Sequence, residues 1–449
     1  MVQSGWAQSV LTPGDFLRQI EEYHPVARQT DLRIDQSIAE VLAARGIFDP
    51  QLSYEKSSKR LAGDTYYDHN TPELKLFTPL GISIKTGIEN NAGKYLNPEV
   101  TQGILSYVGL EVPLLQGLLI DKKRAALQQA QLLVQQTETE KLAVLNDLYL
   151  NAITDYWYWA AAFRELQLIE QNLQIAQERL ALTKVLFTNG DKSAADTTEA
   201  AGQILALDLQ RSSVNQQYLK YGINLSQYLW GENNTPYMLA AETIPMVNSL
   251  TNLPPLQDNE ALINNLSTHP SLRTYAYQLN VLEVEQKLKR QNMLPELKLK
   301  ANLLSKDYYR FENVGNPYLT NNYKFGLTFN MPLFLRESRG EYRKSTLKIE
   351  ETQSKQMQKG WELETKIRQY QAELQTLQNQ VNLAQRLVEN YQQMLDFEDL
   401  RFSQGESSLF VINSRQNKLM DSYIKLINLQ AKYLQTWFKQ QWAAGILNS

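Results

Sequence analysis

Apolar residues recur every three and four positions along two very long stretches of this chain. In the second stretch they form a heptad seam at Ile367, Tyr370, Leu374, Leu377, Val381, Ala384, Val388, Tyr391 and Leu395. The first stretch keeps the same spacing at Trp159, Ala162, Leu166, Ile169, Leu173, Ala176 and Leu180. Seams of this length predict long α-helices that pack side by side, as in a coiled coil. A second stripe, Leu168, Ile175 and Leu182, predicts that the first long helix has packing partners on two sides.

Other segments alternate apolar and polar residues, which is the period of a β-strand. In the second half the apolar residues are Leu297, Leu299, Ala301 and Leu303, then Tyr323, Phe325, Leu327, Phe329 and Met331. In the first half they are Leu52 and Tyr54, and a second strand runs through Leu105, Tyr107, Gly109 and Glu111. Each half is therefore predicted to contribute two main strands. Residues 63–99 are extra material that the second half lacks, and we interpret them as either a longer loop or an added hairpin.

The two halves of the chain repeat the same order of helix, strand, strand, long helix, glycine and shorter helix. The shared landmarks are His24-Pro25 and His269-Pro270, Pro50 and Pro295, Pro113 and Pro332, and Gly190 and Gly405. We therefore divide the chain into a first repeat at 1–230, a connector at 231–268 and a second repeat at 269–449. Each repeat is predicted to hold one helix, barrel strands and one long helical hairpin.

Each glycine at the end of a long helical segment predicts a reversal of the chain, because glycine readily adopts the conformation that ends a helix. Ser193 and Ser407 follow these glycines and are predicted to cap the returning helices. A helix of about 70 residues is on the order of 100 Å long. Such a helix is far longer than a globular domain requires.

Composition narrows the function classes. The 48 acidic and 45 basic residues give a formal net charge of -3, which disfavours nucleic acid as a partner. There is no cysteine, so disulfides, thiolate metal sites and cysteine nucleophiles are excluded. No run reaches the roughly 18 to 20 apolar residues of a membrane-spanning helix. Residues 5–9 resemble the tail of a removed or truncated signal peptide.

The sequence contains no nucleophile or metal signature, so we predict neither an enzyme nor a cofactor or metal site. The three histidines, His24, His69 and His269, invite a metal-site interpretation. His24 and His269, however, stand directly before a proline at predicted helix starts, and His69 lies beside Asn70 in a predicted loop. A structural role at the helix starts is therefore favoured over metal binding.

The number and length of the predicted strands indicate that they cross a membrane. Strands of about ten residues suit a tilted crossing of a bilayer. Four strands cannot close a barrel, and an open sheet edge in lipid leaves backbone groups without hydrogen bonds. Several copies must therefore share one transmembrane β-barrel. The predicted fold class is mainly α with β: long α-helical hairpins forming a coiled-coil tunnel, a barrel shared between subunits, and two internal repeats.

The chain resembles the TolC family of outer-membrane efflux proteins over nearly its whole length. The matching motifs are His24-Pro25, His269-Pro270, Phe48-Asp49-Pro50-Gln51-Leu52, Val112-Pro113-Leu114, Met331-Pro332-Leu333-Phe334, Leu186-Phe187-Thr188-Asn189-Gly190-Asp191 and Arg401-Phe402-Ser403-Gln404-Gly405-Glu406. The resemblance implies a homotrimer with a twelve-stranded barrel in the lipid of the cell outer membrane and an α-helical tunnel that extends into the periplasm.

The resemblance further implies passive export of substrates that an inner-membrane transporter and a periplasmic adaptor protein deliver. The glycine turns then form the periplasmic tip, where these partners dock. The candidate contact residues at the tip are Phe187, Gly190, Ser193, Phe402, Gly405 and Ser407.

One departure concerns charge at the tunnel entrance. Some relatives carry acidic residues shortly after the second glycine, whereas here that stretch is Phe410-Val411-Ile412-Asn413-Ser414. Acidic residues stand nearby instead, namely Asp196, Glu199, Asp396, Glu398 and Asp399.

The competing hypothesis is a soluble helical scaffold that binds partners through its coiled-coil faces, which the heptad seams alone would favour.

Overall fold

The computed structural model describes residues 9–306 and 322–447. In this part of the chain there are nine α-helices: α1 (Pro13–Tyr23), α2 (Pro25–Gly46), α3 (Lys122–Thr188), α4 (Ala194–Leu225), α5 (Asn248–Thr251), α6 (Asn259–Asn264), α7 (Pro270–Gln291), α8 (Arg336–Ser403) and α9 (Leu409–Ala444). The same part contains ten strands: β1 (Ser9–Leu11), β2 (Gln51–Leu61), β3 (Asp64–Phe77), β4 (Ser83–Ala92), β5 (Gly103–Pro113), β6 (Trp230–Gly231), β7 (Thr235–Pro236), β8 (Thr243–Pro245), β9 (Glu296–Ser305) and β10 (Tyr323–Asn330). Of the proposed signal-peptide tail, residues 5–8 lie outside the described residues.

The two long helices are those that the heptad seams predict. Helices α3 and α8 have 67 and 68 residues. Their seam residues are buried or half-buried throughout, and Ile169, Ile367 and Leu374 are fully buried. Ile175 and Leu182 of the second stripe are instead exposed in the single chain. Their packing partners, which the sequence predicts, are therefore absent from the described part of this chain.

The histidines that precede the repeated prolines serve as N-terminal caps. The Nδ1 atom of His24 accepts a hydrogen bond from the backbone N–H of Val26 at 3.2 Å. The Nδ1 atom of His269 accepts one from the N–H of Ser271 at 3.1 Å. Each proline then occupies the first helical position, where its missing N–H costs nothing. Burial lowers the pKa of both imidazoles, which keeps the accepting nitrogen free of a proton.

One antiparallel sheet contains six strands in the order β10-β9-β5-β4-β3-β2. The two predicted main strands of each half are present, as β2 and β5 in the first half and β9 and β10 in the second, and the first half supplies two more. Of the two interpretations of residues 63–99, the added hairpin is the one found. Strands β3 and β4 pair with each other, and β4 pairs continuously with β5 from Ser83 to Asn91. The extra hairpin is therefore an integral part of the sheet.

The sheet has one apolar and one polar face. The two faces can be read from the register, because residues directly opposite each other on neighbouring strands share a face. One row of the apolar face crosses all six strands at Leu52, Leu74, Thr86, Val108, Leu303 and Tyr323. The neighbouring row on the other face consists of Gln51, Lys75, Lys85, Gly109, Asn302 and Lys324. On the edge strand β10, Phe325 and Phe329 are 62% and 65% exposed. The apolar face thus lies uncovered in the single chain.

The chain divides into two compact units that cut across the sequence repeats. The first contains the described residues of Met1–Asp31, Thr139–Arg273 and Gln358–Ser449, and the second contains Leu32–Glu138 and Thr274–Met357. The core of the first unit is aromatic: Phe16, Tyr156 and Trp159 are fully buried in it. The sheet belongs to the second unit. The division into repeats at 1–230 and 269–449 with a connector at 231–268 remains a prediction. Among the described helices, none combines the length and hydropathy that a membrane crossing requires.

Candidate functional site

The turn at the end of α3 is closed by two backbone hydrogen bonds that require a glycine. The N–H of Gly190 donates to the carbonyl of Phe187 at 3.0 Å, and the N–H of Asp191 donates to that of Leu186 at 2.9 Å. This pair of bonds is the Schellman arrangement, in which the residue after the helix adopts a positive φ. Gly190 has a φ of 86°. A side chain there would be strained because L-residues rarely adopt this conformation.

The turn at the end of α8 repeats this geometry. The N–H of Gly405 donates to the carbonyl of Phe402 at 3.0 Å, and the N–H of Glu406 donates to that of Arg401 at 2.9 Å. Gly405 has a φ of 78°. The two turns also touch, since the Lys192 ammonium lies 4.8 Å from the centroid of the Phe402 ring. The six predicted tip residues therefore lie at two adjacent turns of the same unit.

The predicted cap Ser193 is confirmed. Its hydroxyl accepts a hydrogen bond from the N–H of Asp196 at 3.3 Å, and the Asp196 carboxylate accepts one from the N–H of Ser193 at 2.9 Å. Together these bonds form a capping box. The bonds from Ser193 hold the pKa of the Asp196 carboxyl below its usual value. This carboxylate is therefore part of a structural cap.

The prediction that Ser407 caps the second returning helix is wrong by one position. Ser408 is the cap, and its hydroxyl accepts from the N–H of Val411 at 3.4 Å. Helix α9 begins one residue later because its first residue, Leu409, is buried. Ser407 donates its hydroxyl instead to the Glu398 carboxylate at 2.5 Å. Glu398, one of the acidic residues near the predicted entrance, is itself buried.

Exposed apolar residues precede both glycines at the same two spacings. Leu182 and Val185 lie eight and five residues before Gly190, and Phe397 and Leu400 lie eight and five residues before Gly405. All four are more than half exposed. They lie outside the buried seam of their helices, so packing within the chain does not account for them. The sequence contains a signal for this surface, namely apolar residues on the polar side of a heptad pattern close to the turn.

A half-buried arginine joins three helices on the approach to these turns. On α3, the Arg179 guanidinium donates to the side-chain oxygens of Asn413 and Gln416 on α9, at 3.2 and 2.9 Å. It also lies 3.9 Å from the Asp399 carboxylate on α8. Burial lowers the pKa of Arg179 and raises that of Asp399, while the Arg179 charge opposes the shift at Asp399. This network could not be predicted from the sequence, because Arg179 lies more than 200 residues from each of its three partners.

The described residues lack the side-chain cluster that a metal site requires. They contain no group of three histidine, aspartate or glutamate side chains close enough to hold a metal ion. His24 and His269 cap helices, and His69 lies within hydrogen-bond distance of Asn91, at 2.7 Å. The features that remain are two adjacent helix turns with exposed apolar side chains and a two-faced sheet with open edges.

This chain is similar to known proteins in both sequence and fold. Residues 261–439 match the sequence model of the outer membrane efflux protein family. The fold is similar to that of the Campylobacter jejuni CmeC outer membrane channel, with a TM-score of 0.65, 13% identity and coverage of 99% of this chain and 90% of that one. It is also similar to the outer membrane protein VceC from Vibrio cholerae, with a TM-score of 0.63, 13% identity and coverage of 96% of each chain.

The open state of the Neisseria gonorrhoeae MtrE outer membrane channel has a TM-score of 0.66 and 11% identity, covering 96% of this chain and 88% of that one. No curated protein sequence matches this chain. The proteins of the matching family are transport channels of the outer membrane that extend into the periplasm, and they are not enzymes. The sequence pattern of outer membrane efflux proteins is thus found in residues 261–439, and the fold is similar to that of solved outer membrane channels over nearly the whole chain.

Proposed function

We propose that this chain forms an efflux channel, which works as a homotrimer and gives passive export of substrates through the outer membrane. In this proposal an inner-membrane transporter supplies the energy, and a periplasmic adaptor protein couples it to the channel. The chain itself contributes a conduit and two docking turns.

The single observation that carries the proposal is a sheet with one apolar face and two open edges. Among residues 9–306 and 322–447, the edge strands β2 and β10 each have a neighbour on one side only. In lipid, unpaired backbone groups on an open edge are too costly, so the edges must meet other copies. Because six antiparallel strands alternate in direction, β10 of one copy runs antiparallel to β2 of the next, as closure requires. The apolar face then contacts lipid and the polar face lines the conduit.

Three copies with six strands each would supply eighteen strands. This number exceeds the twelve that the resemblance to the family implies, because the β3–β4 hairpin continues both faces of the sheet. Barrel diameter grows roughly in proportion to strand number. A trimer of this chain would therefore form a wider barrel than one built from four strands per copy.

The exposed residues on the helices also support association between copies. On α4, Leu205 and Leu209 are 70% and 74% exposed, and Leu219 and Ile223 continue the same stripe. Apolar residues at this spacing suit packing against a neighbouring helix. The alternative of a soluble scaffold leaves the apolar face of the sheet without a role.

The channel proposal is tested with protein purified from membranes in detergent. We expect a native mass of three chains and stepwise conductance after insertion into a planar lipid bilayer. A heat-denatured sample is the matched control for detergent leakage. A monomeric mass without conductance would contradict the proposal.

The docking turns are tested separately by photo-crosslinking in cells. A crosslinking amino acid at Leu400 is expected to capture a periplasmic adaptor that also copurifies with an inner-membrane transporter. The matched control is Leu383 on the same helix, which is 64% exposed but lies 22 residues before Gly405, or about 33 Å along the helix. Equal capture at both positions would argue against docking at the turns.

The role of the turn conformation is tested by Gly405→Val. A β-branched residue is strained at a φ of 78°, so adaptor capture and export should fall while trimer mass and conductance persist. Gly202→Val is the control, since Gly202 lies within α4 and a Cβ added there would have no atom within 4 Å beyond the helix backbone nearby. Unimpaired export by Gly405→Val would refute this role.

A further inference from the structure

A pocket opens on the polar face of the sheet, where the strands meet the first turn of α3. Its volume is about 350 Å³. Apolar walls come from Phe48, Phe77, Ile82 and Ile120. Ligand pockets in proteins begin at about 300 Å³, so this one suits a compound of one or two rings.

Charged residues also line the pocket, and some of their charges are already compensated. The Asp121 carboxylate accepts hydrogen bonds from the backbone N–H of Lys123 and from the backbone and Nε of Arg124, at 2.8 to 2.9 Å. Glu296 forms an ion pair with Lys298. Three lysines then remain, Lys75, Lys122 and Lys123, and one carboxylate, Glu111. The pocket is therefore positively charged.

Two of these lysines lie close to the same aromatic ring. The ammonium groups of Lys75 and Lys123 lie 5.0 and 2.8 Å from the centroid of Phe77. Within the described residues, neither group has a carboxylate within 4.0 Å. Burial, and then the positive charge of Lys75, lowers the pKa of Lys123. Two cations thus share a partly enclosed space without an anionic partner.

We propose that this pocket binds an organic anion, whose carboxylate, sulfonate or phosphate group lies between Lys75 and Lys123 and whose apolar body packs on Phe77 and Ile120. The occupant is a soluble compound rather than a lipid, because the pocket lies on the face opposite the apolar one. As a statement about exported cargo, the inference rests on the proposed function, in which this face lines the conduit. The binding itself does not depend on that function.

The test uses two probes of the same shape, 2-naphthoate and the neutral 2-naphthamide. Calorimetric titration of the purified protein in detergent, against a protein-free micelle blank, should show one naphthoate per chain. Naphthamide should bind at least tenfold more weakly, and added salt should weaken naphthoate binding because it screens the lysines. Both Lys75→Gln and Lys123→Gln should weaken naphthoate binding about tenfold, and Glu111→Gln should strengthen it.

Lys324→Gln is the matched control, since Lys324 lies on the same face but outside the pocket, and its affinity should equal that of the unaltered protein. Unchanged circular dichroism and native mass show that each variant is folded. Equal affinity for both probes would overturn the proposal, as would full affinity in Lys75→Gln and Lys123→Gln. A protein that conducts in bilayers without binding naphthoate would refute the pocket alone and leave the proposed channel intact.

Discussion

The contact between sheet edges of neighbouring copies can be tested by disulfide cross-linking, because the chain has no cysteine of its own. The design places one cysteine on β2, by Leu52→Cys, and one on β10, at Tyr323, Phe325, Leu327 or Phe329 in turn. All five residues lie on the apolar face of the sheet. Copper phenanthroline, which enters lipid, serves as the oxidant.

The geometry of strand pairing predicts how sharply cross-linking depends on position. Opposed residues of antiparallel strands have Cα atoms roughly 4.5 to 5.5 Å apart, and disulfides need about 4.4 to 6.8 Å. A step of two residues along β10 shifts the cysteine by about 6.8 Å, which places the two Cα atoms roughly 8 Å apart. We therefore expect one of the four positions to cross-link strongly and its neighbours to do so weakly.

On a denaturing, non-reducing gel the strong position should give species of two and three chains and nothing larger, since the ring closes at three. The control pairs Leu52→Cys with Lys324→Cys, whose side chain lies on the opposite face and should not cross-link. Equal cross-linking at all four β10 positions would indicate random collision. No cross-linking at any position, or a ladder beyond three chains, would refute the proposed closure.

Three further predictions concern the helical unit. Gly190→Ala should lower the thermal midpoint by a shift equivalent to about 1 kcal/mol, because it forces a side chain into a φ of 86°, whereas Gly202→Ala should leave it unchanged or raise it. Arg179→Met should lower the free energy of unfolding by about 1 to 3 kcal/mol, because it leaves the side-chain oxygens of Asn413 and Gln416 without their donor. Denaturant unfolding measures this loss, and Arg179→Lys should restore part of it. Burial lowers the pKa of His24 and His269 below 6.5, so their contribution to stability is present above that pH and is lost as the pH falls through the folded-state pKa. The thermal midpoint should therefore drop from pH 7.5 to pH 5. The drop should be smaller in the double variant His24→Asn/His269→Asn. An equal drop in that variant would contradict the histidine explanation.

The long helices were predictable because their signal is repeated many times. A seam such as Ile367 to Leu395 continues for four heptads, so one ambiguous residue cannot obscure the period. The glycine turns were predictable for a different reason: a positive φ after a helix selects one residue type, and the same type occurs at equivalent places in both halves.

The extra hairpin could not be chosen over a loop from the sequence, because its alternation fails over much of its length. Asp68 and Asn70 of β3 lie on the same face as Leu74 and Leu76, so polar residues interrupt the apolar row. Only pairing with β2 and β4 assigns them to the sheet. The cap of α9 was predicted one residue too early, because Ser407 and Ser408 are chemically equal. The choice between them depends on the burial of Leu409.

The two halves differ where the sheet is built but agree at the helix turns, and this contrast bears on function. A hairpin could be added to the first half because a sheet accepts two more antiparallel strands without changing the direction of its edges. The exposed pairs Leu182/Val185 and Phe397/Leu400 are different, because no packing within the chain requires them to be apolar or equally spaced from the glycines. In the proposed function, these repeated apolar side chains meet the partner at both turns with the same kind of surface. If the turns dock an adaptor, each subunit therefore presents two similar sites to it rather than one.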